Sequence, residues 1–495
     1  VVSIAAYLTL VTPQGPDTSA IVAEIDAYAQ VAKSTWKVPG MAVAIIKGDK
    51  IIFEKCYGVR KYGGNDPITP QTSFQIGSIS KSFTATALAR MVDMGKLSLD
   101  ERAEDLVPEF QMYDPYATRS MKLWDLMAQH SGMPSYAGDS YLYMNPTRDQ
   151  IIHAIRYIKP TSTFREQFNY VNNLWLVAAK AGENRYGKSW ETYLSDLVFK
   201  PLGLTRTSTG YNELYAAGDF AVPHATPTDP IEKSDPETRG VYIIGPAGGV
   251  NSSIRDMSKY LMMHLHAGKA DGKEFLKRQT ANELHVPRTP ILGDLLPSTT
   301  KLPVNTSYCQ AFVSQNFSPS TLVWHNGGTG GARTIMGFIP DADMGIVVLT
   351  NLADTQVPEA LMYRFYDAVF GKPKTDYIAN YMKKPKPPTP VRPTSPIPAR
   401  TLSAYAGKFQ HPIFGTLEFK VDADSLTAKL PNQYSPFSFK LSAWDGDQFQ
   451  WTTVGSVYVQ TGFASFQFGL DGKVASVKLN GFADDLDSGV FTLVP

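Results

Sequence analysis

Phe74-Gln75-Ile76-Gly77-Ser78-Ile79-Ser80-Lys81 sets a serine and a lysine three residues apart at the start of a helical pattern. Ile79, Phe83, Ala87 and Met91 then recur at four-residue spacing, and Gly95 closes the run. One turn apart on one helix face, the Ser78 hydroxyl and the Lys81 amine can meet. A hydroxyl is a poor nucleophile until a base takes its proton, and a desolvated lysine can be that base. A first turn also offers unpaired N–H groups and the positive end of the dipole to a developing oxyanion. The same features fit a serine that only caps the helix beside a solvated lysine.

Spacing alone decides nothing, because Ser34-Thr35-Trp36-Lys37 repeats it. There the amphipathic stretch of Ile21, Ile25 and Tyr28 runs out into Val38-Pro39-Gly40. That is a helix C-terminus, with no free N–H groups and the negative end of the dipole.

Composition narrows the classes. The chain has 495 residues, 43% hydrophobic and 19% charged, enough for two or three globular domains. Lys+Arg 47 against Asp+Glu 46 gives +1, which removes the electrostatic case for nucleic acid. Cys56 and Cys309 are too few for a disulfide framework, though one bridge is open. The histidines are scattered apart from His264 and His266, and no carboxylate cluster joins them, so neither a metal nor another cofactor is expected. Val1 to Val11 is apolar but too short to span a bilayer. It reads either as the tail of an export signal, which favours a periplasmic or secreted protein, or as an ordinary first segment.

Along the chain, a first helix over about 19–33 precedes a hairpin, Met41 to Ile46 and Ile51 to Phe53 around Lys47-Gly48-Asp49-Lys50. A long helical part follows the Ser78 helix; strands return at Thr321 to Trp324, Thr334 to Ile339 and Gly345 to Thr350, with a helix over about 358–370. One sheet built from both ends, with a helical subdomain between, makes an α+β core. Lys383 to Pro398 holds seven prolines and reads as a semi-rigid linker. Beyond it, short alternating segments such as Thr416 to Val421, Gln448 to Trp451, Val457 to Val459 and Val474 to Leu479 predict a small barrel or sandwich. The expected divisions are 1–16 as an N-terminal segment, 17–372, a linker over 373–400, and 401–495.

A Ser-Lys enzyme needs a second polar group across the cleft and donors for the oxyanion. Tyr-x-Asn occurs twice: Tyr143-Met144-Asn145 runs into Pro146 and reads as a loop, whereas Tyr170-Val171-Asn172 opens onto an apolar run from Leu174. His-x-Gly occurs three times. His266-Ala267-Gly268 reads as a helix end and His130-Ser131-Gly132 as a turn, whereas the apolar strand Thr321 to Trp324 leads into His325-Asn326-Gly327-Gly328. Glycines there let a substrate approach the backbone, and the Gly328 N–H is the natural second oxyanion donor beside that of Ser78.

Ser78-x-x-Lys81, Tyr170-x-Asn172 and His325-x-Gly327, in that order, resemble the three elements of the serine β-lactamase and penicillin-binding peptidase superfamily. The tyrosine resembles the class C branch, with its D,D-peptidases, D-aminopeptidases and esterases. Pro39 to Val43, His130 to Pro134, Lys200 to Leu204, Pro246 to Val250 and Gly327 to Gly331 match the same branch. The similarity covers roughly 17–372, and 401–495 resembles the lipocalin-like barrel appended to some members. It implies an antiparallel sheet flanked by helices plus a helical subdomain, followed by a small all-β barrel. Class C β-lactamases carry Lys-Thr-Gly where this chain has His325-Asn326-Gly327, so a permanent cation becomes a group expected to titrate near neutrality.

The implied reaction is hydrolysis, through an acyl-enzyme, of a small ester or amide: a D-amino-acid peptide, a small carboxylic ester or a β-lactam. Ser78 is the nucleophile and Lys81 its base; Tyr170 relays the proton, with His325 assisting. Asn172, Gly327 and Gly328 hold substrate or oxyanion. The rival reading is a penicillin-recognising sensor that acylates without turnover; self-association is open. For the barrel, a packed core is expected ahead of a ligand cavity.

Overall fold

A computed structural model describes residues 17–231, 237–292, 305–317, 320–383, 390–430, 437–454, 461–480 and 489–494. The apolar Val1 to Val11 and the expected strand Val457 to Val459 lie outside them. Asp17 caps the first helix, Thr18–Trp36, by accepting from the Ser19 and Ala20 N–H groups. Its buried stripe of Ile21, Ile25, Ala29 and Ala32 packs on the sheet that the next residues begin.

That sheet is antiparallel and eight-stranded. In spatial order it runs Lys50–Gly58, Gly40–Lys47, Met344–Thr350, Arg333–Ile339, Ser320–Gly328, Val313–Phe317, Asn305–Tyr308 and Thr289–Pro290. The N-terminal hairpin joins the C-terminal strands at Ala44 opposite Val347, so both ends of the chain close one sheet. Gly40–Lys47 and Met344–Thr350 are buried almost throughout, as their unbroken Val/Ile/Ala runs require of central strands covered on both faces. On one face lie the first helix and Val357–Val369. On the other lie Ser80–Asp93, Ile254–Leu265 and the helical insert that includes Leu174–Tyr186.

No helix among the described residues is long and apolar enough to cross a membrane. Cys56 and Cys309 are both free thiols, so the bridge left open by the sequence is not made.

Residues 384–389 of the proline segment lie outside the described residues. The remainder runs along the last domain: Arg392 donates to the Trp444 carbonyl at 2.9 Å, and Ile397 N–H to Asp445 at 2.7 Å. That domain is a closed eight-stranded barrel from Gly407–His411 to Val490–Leu493. Tyr405, Phe409, Phe419, Phe449 and Phe466 are all buried and pack ring against ring, with centroids 4.7 to 6.2 Å apart. Side chains fill the barrel, the expected outcome for eight strands. It meets the helical insert where Phe414 packs edge-on to Tyr141, at 6.0 Å.

Candidate active site

Ser78 stands one step earlier than the helical pattern predicts. Gly77–Ile79 forms a single 3-10 turn, and the α-helix proper is Ser80–Asp93. Gly77 makes the turn possible with φ +54°, and the Ser80 hydroxyl closes it by donating to the Gly77 carbonyl at 2.6 Å. Ser78 is half-buried between buried neighbours.

The strand Ser320–Gly328 lies directly against this turn, and missing side chains let it do so. A Cβ on Gly77 would stand 2.6 Å from the Gly328 nitrogen. One on Gly327 would stand 1.8 Å from the Ile76 carbonyl oxygen. Thr334, opposite Gly327 on the next strand, donates to that same carbonyl at 2.9 Å. Backbone therefore touches backbone where the two expected oxyanion donors, Ser78 and Gly328, belong.

Lys81 is fully buried. Its Nζ lies 3.0 Å from Ser78 Oγ, 2.7 Å from Asn172 Oδ1 and 2.8 Å from the Ala247 carbonyl. Burial pushes the amine down to about 7, with Asp139 opposing the shift. Two of its three partners can only accept. A neutral amine has two N–H bonds and one lone pair, so those partners use both hydrogens. The lone pair then faces the Ser78 hydroxyl, the arrangement of a base waiting for a proton.

Tyr170 precedes the helix Leu174–Tyr186 in an irregular segment, and its ring covers Lys81 Nζ at 4.7 Å. Its hydroxyl pairs with Ser78, and burial raises it above the usual phenol range, so it stays protonated. Gln129 brackets it: the Gln129 carbonyl accepts from Asn169 N–H at 2.8 Å and the side-chain oxygen from Val171 N–H at 2.6 Å. Asn172 passes the network on, donating to Asp139 at 2.7 Å.

His325 departs from expectation. It is buried, and its imidazole is pushed down to about 3 by burial first and by the Lys81 charge second. Nδ1 sits 2.6 Å from the Asn326 carbonyl, which only accepts, so Nδ1 carries the hydrogen. Nε2 is then bare and accepts from the Tyr308 hydroxyl at 3.0 Å. The residue does not titrate near neutrality, and both ring nitrogens are engaged.

The other matches to the short motifs lie elsewhere. Ser34 is exposed in the last turn of the first helix, ahead of Lys37 at φ 53°. Tyr143 falls in a 3-10 helix, Asp139–Met144, instead of the expected loop, because Asn145 at φ 49° ends the helix only just before Pro146. His130 is held by buried Asp125 at 2.8 Å and by Thr289 at 2.9 Å. His266 contacts Asp49 and Asp343 at 3.1 and 3.3 Å. The sequence reading did not single out Tyr308, Gln129 or Asp139 for the site; Ala247 lay in a quoted stretch but carried no role.

Residues 28–369 match the family model described as Beta-lactamase. The chain belongs to the Beta-lactamase family. At family level this places it among serine hydrolases of amides and esters. Residues 391–489 match a domain of unknown function, DUF3471. Among curated proteins, an unguisins hydrolase of Aspergillus campestris is 25% identical over 80% of this chain and 78% of its own length. Penicillin-binding protein 4 of Amycolatopsis lactamdurans is 27% identical over 63% of this chain and 81% of its own. Among solved structures, the octameric penicillin-binding protein homologue from Pyrococcus abyssi covers 92% of this chain, and 98% of itself, at TM-score 0.62 and 21% identity. A class C β-lactamase from Rhodobacter sphaeroides covers 70% of this chain and 99% of itself at TM-score 0.58 and 22% identity. At those identities the two structures speak for the fold.

Proposed function

We propose that this chain hydrolyses a small ester or amide through an acyl-enzyme on Ser78. The observation that carries the reading is the set of partners around Lys81 Nζ, two obligate acceptors and one hydroxyl. Ser78 Oγ attacks the carbonyl and its proton passes to Lys81. The Ser78 and Gly328 N–H groups stabilise the oxyanion. Tyr170, protonated and paired with Ser78, delivers a proton to the leaving group as the carbonyl re-forms. Water then attacks the acyl-enzyme, the proton path runs in reverse, and Ser78 is released as its hydroxyl. His325 contributes a neutral wall and no charge. Asn172 holds Lys81 by its oxygen, and Gly327 gives the strand its close approach.

Labelling with a covalent serine probe tests the assignment. Wild type should take one adduct on Ser78. Ser78→Ala should take none and lose turnover by at least about a thousandfold. Adduct on Ser34, or turnover undiminished in Ser78→Ala, overturns the reading. A panel of a p-nitrophenyl ester, a D-amino-acid amide and a cephalosporin separates the substrate classes. A stoichiometric burst without turnover on all three returns the sensor reading.

A further inference from the structure

His325 stands where a permanent cation would be useful to an anionic ligand, yet it is neutral, and one neighbour accounts for how it is held. Tyr308 ends the strand Asn305–Tyr308, two strands from His325. It is buried, and its hydroxyl reaches Nε2 at 3.0 Å. Its ring is wedged among those of Phe168, Tyr170 and His325 at 5.5, 6.2 and 5.8 Å, which leaves the hydroxyl little freedom to turn away. The buried Gln129 amide nitrogen has no hydrogen-bond partner among the described residues, and the Gln129 side chain offsets part of the rise that burial imposes on the Tyr308 phenol. With Nδ1–H bonded to the Asn326 carbonyl, Nε2 can only accept, so the Tyr308 hydroxyl donates to it.

We propose that Tyr308 is a positioning residue that locks His325 in the Nδ1–H tautomer by donating its hydroxyl to Nε2. The groups facing His325 bear this out from each packed element. Lys81 on the nucleophile helix and Arg333 on the adjacent strand both disfavour a second positive charge. Tyr170 lies 6.4 Å away, ring to ring, and is a neutral phenol, as is Tyr308. Glu359, whose charge could offset one, is committed to Arg333 and to Asn326 at 2.8 and 2.9 Å. A lone pair on Nε2 left without its donor is a buried unsatisfied acceptor, and protonating it is the direct remedy. The tyrosine hydroxyl removes that incentive.

The kinetic arm of the test rests on the serine-hydrolase reading; the spectroscopic arm does not, so their failures are distinguishable. In full-length protein labelled with ¹⁵N-histidine, wild-type His325 should show the Nδ1–H tautomer without protonation from about pH 5 to about pH 9. Tyr308→Phe keeps the ring contacts and removes only the hydroxyl; a single cooperative thermal transition identifies it as folded. In that variant His325 should exchange tautomers or protonate as the pH falls. Its kcat/KM on a neutral ester should drop on the order of tenfold with KM little changed, the fold-change expected for one unsatisfied buried acceptor. An Nε2–H tautomer in wild type overturns the proposal. So does a Tyr308→Phe variant whose histidine spectrum and pH profile match those of wild type.

Discussion

At the scale of single residues, the chemistry depends on how far burial moves a lysine. The Lys81 amine lies at about 7 against an ordinary 10.5, because nothing but dipoles and a distant carboxylate replaces the water it lost. The sign is direct: the base is neutral above its pKa, so kcat/KM should rise as pH passes through about 7 and level off above it. Asn172→Asp checks the cause. A carboxylate placed 2.7 Å from Nζ should hold the amine charged and carry that limb upward by about one unit or more. A pH–rate profile that does not move would mean the limb belongs to another group. The Ser78–Lys81 pair was readable because it is local, one turn of one helix. The protonation state of His325 was not, because its cause is burial under strands far off in sequence.

At the scale of elements, the site exists where a turn and a strand touch without side chains between them. Gly327→Ala tests that contact. With the Ile76 carbonyl 1.8 Å from the new Cβ, either the strand or the nucleophile turn must shift. Overpacking of this kind costs about 1–3 kcal/mol, and here it also displaces the Gly328 N–H from the oxyanion position. We expect a folded but destabilised variant in which kcat falls far more than the thermal midpoint does; full activity would show that the strand need not lie so close. The helical insert, the both-ends sheet and the strand bearing His325 could be read from periodicity and turn residues. Gln129 could not. It follows a short helix, Leu123–Met127, at φ 60°, and its two bonds around Tyr170 appear only when residues forty positions apart are brought together.

Across the whole molecule, two cores are built separately and then joined. The catalytic sheet is covered on both faces, and the barrel is closed around its own aromatic cluster. Phe466, buried in contact with Tyr405, Phe409, Phe419 and Phe449, should therefore matter to the barrel first. Phe466→Ala should cost about 3–5 kcal/mol. Calorimetry should then resolve an early transition for the barrel ahead of the catalytic domain, with ester turnover retained below it. Loss of turnover in step with the early transition would instead make the barrel a support of the site. The Phe414–Tyr141 contact is the route by which that could happen, since Tyr141 shares its short helix with Asp139, the partner of Asn172.

The amino-acid order by itself determined what is local or periodic. It carried the Ser-Lys spacing, the strand that runs into His325-Asn326-Gly327, the proline-rich break and the alternation of the barrel strands. Tertiary structure alone decided the electrical state of the site. It buried Lys81 among two acceptors and a hydroxyl, neutralised His325, and recruited Tyr308, Gln129 and the Ala247 carbonyl from elements far apart in the chain. The reason is physical: helix and turn geometry follow from neighbours along the backbone, whereas desolvation and hydrogen-bond partners are set by whatever the fold packs around a group.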